Sequence, residues 1–340
     1  LKKLVSIILA AALTMVAGCG ATNQGTTNQG NQANPGSDGK QQAANGYPNK
    51  PITLIVAFEA GGGTDVGARI LAPYVEKELG VPLVISNKPG AGGWVGWGEL
   101  VKSPPDGYTI GYINTPNLIT GYVNPSTARK ENLDSFEPIA NHVTDLGAIA
   151  IRSNETRFTD IKSLVEYAKA NQLTVTSTGV GSDDHYAALR MNQRLGTKFN
   201  AVHTKGFGEN LSNLLGGHVD VMLANVGEVV KPHNEKQLKV IAVMAQERSS
   251  YLPDAPTLKE SGFGDIVSWS ARGIAAPKGV SPEIMEKLIA AFEKGINDME
   301  QKKKMEDMGL QVDFKKGEEY KNMLKEEEAG VMELKKLLNW

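Results

Sequence analysis

Two glycine-rich segments carry the residue types from which a small-molecule site could be built: Phe58-Glu-Ala-Gly-Gly-Gly-Thr-Asp65 and Ser177-Thr-Gly-Val-Gly-Ser-Asp-Asp-His185. Each follows an apolar run and precedes a stretch of helical periodicity, so each should set a glycine loop against a helix N-terminus. There the free backbone N–H groups and the helix dipole favour negative charge, and glycine lets the backbone approach a ligand closely. The hydroxyls of Thr64, Ser177, Thr178 and Ser182 stand beside those amides. The chemistry expected is an anion site built mainly from neutral donors. Its candidate residues are Phe58, Gly61, Gly62, Gly63, Thr64 and Asp65 in the first loop, and Ser177, Thr178, Gly179, Gly181, Ser182 and His185 in the second.

Other chemistries fit less well. Gly61-x-Gly63-x-x-x-Gly67 is one spelling of a dinucleotide fingerprint, but the next strand, Leu83–Ser86, runs into Asn87-Lys88 instead of the acid that would hold a ribose. No cofactor is expected. Ser182, Asp183, Asp184 and His185 invite a hydrolase reading, yet the serine is not in a Gly-x-Ser-x-Gly elbow and triads are assembled across a fold, not from neighbours. The protein is therefore not expected to be an enzyme, and an exported hydrolase is the weakest alternative. His142, His203, His218 and His233 show no His-x3-His spacing, and one cysteine cannot make a Cys-rich zinc site, so no metal is expected. With 36 basic against 38 acidic side chains there is no basic stripe for nucleic acid. Trp94 and Trp97, at i, i+3, could share a helix face, and packing is favoured over ligand contact for them.

The elements that must hold the loops alternate strand and helix. Ile52–Phe58 is a nearly continuous apolar run, as in a strand buried on both faces. Val66, Ile70, Tyr74, Val75 and Leu79 recur at helical spacing up to Gly80, with Thr64 or Asp65 as N-cap and a kink expected at Pro73. Strands are predicted at Leu83–Ser86, Tyr108–Ile113, Phe136–Val143, Ala148–Ile151, Leu173–Ser177, Phe199–Val202, Val219–Leu223 and Leu238–Met244. Helices are predicted after Thr159, from Asp184 to Leu195, over Glu209–Leu215, from Ser281-Pro282-Glu283 to Asn297, on to Met308, and from Glu318 to Leu338. That alternation predicts an α/β protein with parallel sheets.

The first 46 residues read differently. Lys2 and Lys3 precede the apolar stretch Leu4–Gly18, too short to span a bilayer comfortably and typical of a signal peptide. Val16-Ala-Gly-Cys19 resembles the lipobox of a lipoprotein, which would leave Cys19 as a lipidated N-terminus. Residues 20–46 contain no Leu, Ile, Val, Met, Phe, Trp or Tyr, so they have nothing to bury and read as a disordered polar tether about 30 Å in span. Loss of residues 1–18 removes two lysines and no acid, moving the formal charge from −2 to −4. The expected location is outside the cytoplasm, anchored to the outer face of the cytoplasmic membrane (its periplasmic side if the cell has two membranes).

Ordered motifs along the remainder carry a resemblance. They are Tyr47-Pro-x-Lys-Pro-Ile52, Phe58-x-x-Gly-Gly-x-x-Asp65-x-x-x-Arg69, Asn87-x-Pro-Gly-Ala-Gly-Gly93 and Pro105-Asp-Gly-Tyr-Thr109. Ser177-x-Gly-x-Gly-Ser182-x-x-His185, Lys205-Gly206, Leu215-Gly-Gly-x-Val-Asp220, Arg248-x-x-x-Leu-Pro-Asp-x-Pro-Thr257 and Gly273-x-x-x-Pro277 follow. The chain from 47 onward resembles the extracytoplasmic solute receptors of tripartite tricarboxylate transporters, the Bug-type binding proteins. The resemblance implies a Venus flytrap, two α/β domains joined by two crossing strands with the ligand in the cleft. By analogy, domain 1 is 47–145 plus 271–340 and domain 2 is 146–270. It also implies a monomer that grips a small carboxylate (a di- or tricarboxylate, an acidic amino acid or an aromatic acid) between the two glycine loops and delivers it to a membrane permease. A sensor or scaffold of the same fold is the alternative.

The chain departs from the family pattern at Ala57, Glu59-Ala60, Ser86-Asn87-Lys88 and His203-Thr204. An acid at Glu59, if it faces the cleft, would disfavour a polyanion and tolerate a ligand bearing an amine. Ser182 is expected to touch the ligand, so that removing its hydroxyl weakens binding with little effect on stability.

Overall fold

Ile52–Val56 (β1) is buried along almost its whole length because neighbours cover it on both edges and both faces. The computed structural model describes residues 46–338. The signal peptide, Cys19 and the tether up to residue 45 lie outside them. In chain order the elements are β1, helix α1 (Gly63–Leu79), β2 (Leu83–Asn87), α2 (Trp94–Lys102), β3 (Thr109–Thr115), α3 (Asn117–Val123) and β4 (Phe136–Arg152). Next come α4 (Ile161–Ala170), β5 (Gln172–Ser177), α5 (Asp183–Leu195), β6 (Lys198–His203), α6 (Phe207–Leu215), β7 (Met222–Asn225), α7 (Val226–Asn234) and β8 (Leu238–Met244). The chain closes with β9 (Trp269–Pro277), α8 (Pro282–Asn297), α9 (Met299–Asp307), β10 (Val312–Lys316) and α10 (Gly317–Leu334).

Local rules explain most element ends. Gly80 ends α1 in the left-handed region at φ 72°, its N–H bonded to the Glu76 carbonyl. Ser281 caps α8 through Ile284 N–H, with Pro282 opening the helix as expected. The cap of α4 is Asp160, in a reciprocal box with Ser163, and not Thr159. The cap of α1 is Gly62, ahead of Thr64 and Asp65, because those two side chains are engaged elsewhere.

The sheets are mixed instead of purely parallel. β1 pairs in parallel with β2 and β3, but β3–β9, β4–β9, β4–β10, β4–β7 and β4–β8 are antiparallel. The cause is β4, expected as two strands and formed as one 17-residue strand. Its first part pairs with β9 and β10, and its last residues, Gly147–Arg152, pair with β7 and β8. One strand thus belongs to two sheets. Around its first part lie two apolar layers: Ile52, Leu54, Leu71, Ile110 and Phe292 on one face, Ile55, Trp94, Trp97, Leu100, Tyr320 and Leu324 on the other. Around its last part Ile149 and Ile151 point to Leu164, Met191 and Leu223, while Ala148 and Ala150 point to Val229 and Val240. Trp94 and Trp97 are core residues, edge to face at 5.8 Å.

His142, on β4, is fully buried between the Tyr112 hydroxyl, 2.8 Å from Nδ1, and the Gln301 side chain, 2.8 Å from Nε2. Burial, with the nearby Arg272 charge, pushes its pKa down to about 3. The folded value lies below the unfolded one, so the unfolded chain takes up the proton first as pH falls. His142 therefore contributes stability that is complete above about pH 6.5 and is lost toward pH 3, at about 1.4 kcal/mol per pH unit within that window. Replacing His142 by Gln should make the fall in urea midpoint between pH 6 and 4 shallower by one proton. An unchanged slope would remove His142 from the account.

Candidate functional site

The first glycine loop is held by Asp65. Its Oδ2 accepts from Gly61 N–H at 2.8 Å and Arg69 Nε at 2.9 Å, and its Oδ1 accepts from Asn87 Nδ2 at 3.0 Å. Burial raises the Asp65 pKa, but the Arg69, Gly61 and Asn87 hydrogen bonds outweigh it and the net shift is down. Gly61 sits at φ 84°, which a side chain would strain. Gly62, as N-cap, offers no side chain to the first turn, so α1 begins without a side-chain cap. Thr64 is turned inward and accepts from Asn114 Nδ2 at 2.7 Å.

The second loop satisfies itself. Ser177 Oγ donates to the Gly179 carbonyl at 2.8 Å and lies 2.9 Å from Ser182 Oγ. Ser182 Oγ accepts from His185 N–H at 3.1 Å, capping α5. His185 Nδ1 accepts from Gly181 N–H at 2.9 Å, which leaves the proton of the neutral ring on Nε2. Burial, then the neighbouring His203, pushes the His185 pKa down to about 4.

Between the loops lies a cavity of about 30 Å³. Of the residues expected there, Phe58, Gly62, Gly63, Thr64 and Thr178 line it. Gly61, Asp65, Ser177, Gly179, Gly181, Ser182 and His185 do not. Asp65, Ser182 and His185 spend their polar atoms on the loops themselves, so they set loop shape instead of offering groups to the cavity. Ser182 is wholly buried. Losing its cap should cost about 1 kcal/mol of stability, against the expectation that its removal is neutral to folding. Glu59 does line the cavity, as do Asn114, Asn117, Asp183, Gly206, Phe207, Asn225, Glu228, Ser270 and Arg272. Most of these come from strand ends and strand-to-helix junctions without glycine-rich signatures. The available signal was Ser270-x-Arg272, polar alternation inside an otherwise apolar strand, and Asn225-x-x-Glu228, a capping box.

Charge at this cavity is concentrated and largely buried. Arg272 Nη1 is 2.9 Å from Asp145 Oδ2, and its Nη2 donates to Asn225 Oδ1 at 2.9 Å. Asn225 Nδ2 in turn donates to Asp183 Oδ2 at 2.7 Å. Burial pushes the Asp145 pKa up to about 6, opposed by Arg272. Burial also raises Asp183, against the Asn225 hydrogen bond, and raises Asp184 well above its ordinary value, with Asp183 as the next cause. Beyond Asp183 a second, larger cavity of about 360 Å³ opens, lined by Tyr186, Arg190, Trp269, Met323 and Glu327 among others. Among the described residues no cluster of three or more His, Cys, Asp or Glu could hold a metal ion, and no helix is long and apolar enough to cross a membrane.

The two halves touch through the loops. Thr120 Oγ1, on α3, donates to the Gly181 carbonyl at 2.9 Å, and Asn117 Nδ2 is 3.5 Å from Thr178 Oγ1. Gly179 comes so near Gly92 that a Cβ on it would lie 3.2 Å from the Gly92 Cα.

Comparison with known proteins places this geometry. Residues 67–339 match the model of the tripartite tricarboxylate transporter family receptor. Protein BugT of Bordetella pertussis is 31% identical over 265 residues, 77% of this chain and 79% of its own length. The structure of the periplasmic binding protein BugD superposes with a TM-score of 0.80 at 30% identity, covering 86% of this chain and 98% of that one. MatC of Rhodopseudomonas palustris with bound malate is 27% identical with a TM-score of 0.72, over 78% and 91% of the two chains.

Gly181 tests the closed contact. It sits at φ 71°, and a Cβ there would fall 1.8 Å from Thr120 Cγ2. Gly181→Ala should hold the halves apart, seen as a larger radius of gyration in solution scattering, and Thr120→Ser should restore part of the compaction. Equal radii for the single variant and the native chain would rule out this contact as the closing one.

Proposed function

The chain belongs to the tripartite tricarboxylate transporter receptor family, and from that premise we propose that it captures a small organic carboxylate in the cavity between its two glycine loops and presents it to a membrane permease. Its fold is the two-domain α/β Venus flytrap of the periplasmic binding proteins. We assign residues 47–145 and 271–340 to one domain and 146–270 to the other, with β4 and β9 as the crossing strands. The observation that carries the reading is the start of α1: a helix with no side-chain cap, opening into an interdomain cavity that Arg272 also lines. Helix N–H groups and a guanidinium are the donors a carboxylate needs. The malate in MatC supports the ligand class.

A cavity of 30 Å³ holds one or two waters. A carboxylate of several carbons therefore enters an opened cleft, and closure follows from contacts made with both halves. Four or five charge-assisted hydrogen bonds at about 1.5–3 kcal/mol each, less the costs of ordering and closure, are enough for binding at about −8 kcal/mol, near micromolar. Closure reshapes the rim of the cleft, which gives a permease something to distinguish. The receptor acts outside the cytoplasm, held to the membrane through lipid on Cys19.

Melting of the full chain against mono-, di- and tricarboxylates should show a rise of several degrees with at least one. Gly63→Ala should abolish that rise, because its Cβ would sit 2.2 Å from Arg272 Nη1. A flat response across the panel would reject the carboxylate receptor. In cell fractionation, Cys19→Ser should move the protein from the membrane to the soluble fraction, and an unmoved variant would dismiss the lipid anchor.

A further inference from the structure

The ligand cavity has a counterpart on the other side of the strands that join the halves. In the register of β4 and β9, Asp145 pairs with Ser270 and Leu146 with Trp269. Successive side chains on a strand point to opposite faces. Ser270 lines the ligand cavity and Asp145 holds Arg272 beside it, so Leu146 and Trp269 face away from it. These two residues floor a separate crevice of about 970 Å³. Trp269, a large aromatic at the junction of the halves, is left 40% exposed.

One wall of the crevice belongs to the second half: Gln246, Arg248, Ser249, Ser250 and Tyr251, which follow β8. It is fixed by the motif Arg248-x-x-x-Leu-Pro-Asp-x-Pro-Thr257, to which the ligand cavity gives no role. Arg248 Nε donates to both Glu260 carboxylate oxygens at 3.0 and 2.9 Å, and its Nη1 donates to the Pro253 carbonyl at 2.8 Å. Glu260 Oε2 also accepts from Thr257 N–H at 2.8 Å, and Leu252 and Ala255 anchor the segment in the core. The facing wall belongs to the first half: Lys302 and Glu306 on α9, with Gln311 and Val312 at β10. It is anchored by buried Met305 and Leu310 and by the pairing of β10 with β4. Tyr251 and Glu306 face each other closely enough that, after burial, the Glu306 charge is the next cause of the raised Tyr251 pKa.

Both walls are firmly held, yet among the described residues no hydrogen bond or ion pair joins one to the other. Their polar groups bond within their own half: Lys302 Nζ donates to Asn297 Oδ1 at 2.9 Å, and Ser249 Oγ accepts from Tyr251 N–H at 3.3 Å. On the cleft side the reverse holds. Thr120 Oγ1 meets the Gly181 carbonyl at 2.9 Å, and the cavity there is only about 30 Å³. Halves that touch in front of the joining strands and stand apart behind them are at one end of a swing about those strands. A rotation that opens the cleft must narrow the crevice.

Within the carboxylate-receptor reading, we propose that this crevice sets the balance between open and closed receptor: it must narrow for the cleft to open, so side-chain bulk in it holds the cleft closed. Binding that requires the closed form is weakened by whatever fraction of the empty receptor is open. Bulk added to the crevice therefore tightens binding without touching the ligand.

The test places tryptophan at one exposed position on each wall, Ser250→Trp with Gln311→Trp. In the full chain without ligand, this filled variant should have a smaller radius of gyration in solution scattering than the native chain. Calorimetry with malate as the probe should show binding about fivefold tighter. Trp269→Ala, which enlarges the crevice, should move both readouts the other way. Lys303→Trp, on α9 but outside the crevice lining, should move neither. Ser250→Trp alone replaces the filled variant should the latter melt much lower than the native chain. A radius in the filled variant equal to or above the native one, compaction without tighter malate binding, or the same compaction from Lys303→Trp would overturn the inference and leave the carboxylate receptor standing. Where malate binds neither native nor variant chain, the radius alone decides the inference, and the receptor reading is judged by the wider carboxylate panel.

Discussion

The buried pair of Arg272 and Asp145 is the interaction on which the rest of the molecule depends. Both residues stand on the long antiparallel strands that run from one half to the other, two positions apart in the register that pairs Asp145 with Ser270 and Val143 with Arg272. Asp145 accepts from Gly227 at the start of α7, and Arg272 donates to Asn225 at the end of β7. A single ion pair therefore ties the crossing strands to the helix start of the second half. Breaking such a pair leaves an uncompensated buried charge, at a cost of about 3–5 kcal/mol. Its retention is explained by position: an apolar pair of equal volume would pack as well but would present nothing to an anion.

That placement makes the cleft responsive. Arg272 faces the first turn of α1 so closely that only glycine fits at position 63. Any ligand that draws the guanidinium toward α1 pulls on Asn225 and, through it, on Asp183 of the opposite loop. The chain of hydrogen bonds runs from one half to the other without a gap. Of the guanidinium nitrogens, Nη1 faces Asp145 and Nη2 faces Asn225, while Nε has no hydrogen-bond partner.

Much of the fold was legible in the sequence because its strands are short apolar runs bounded by glycine and proline. β8 falls where the pattern put it, and β1, β2, β3, β5 and α5 begin or end within two residues of expectation. β4 was not legible as one strand, since Thr144, Asp145 and Gly147 fall between its two apolar runs. The polar residues of this strand are accommodated because partners distant in sequence satisfy them: Asp313 for Asn141 and Thr144, Tyr112 and Gln301 for His142, Arg272 for Asp145. The same reason explains the site. Glycine loops announce themselves locally, whereas Asn225 and Arg272 acquire meaning only once β7 and β9 bring them beside Asp145.

The two loops also show how one local design yields opposite chemistry. Both are strand–glycine–helix junctions, and both helix starts attract negative charge by the same dipole. What differs is where that charge comes from. In the first loop the acid bonds back to Gly61 and Arg69, leaving the helix end without a side-chain cap. In the second, the hydroxyl of Ser182 and the two aspartates after it take the helix end for themselves. A dipole argument from the backbone alone treats the loops as twins. The side chains decide that one helix start is left without a side-chain cap and the other is filled from within the chain.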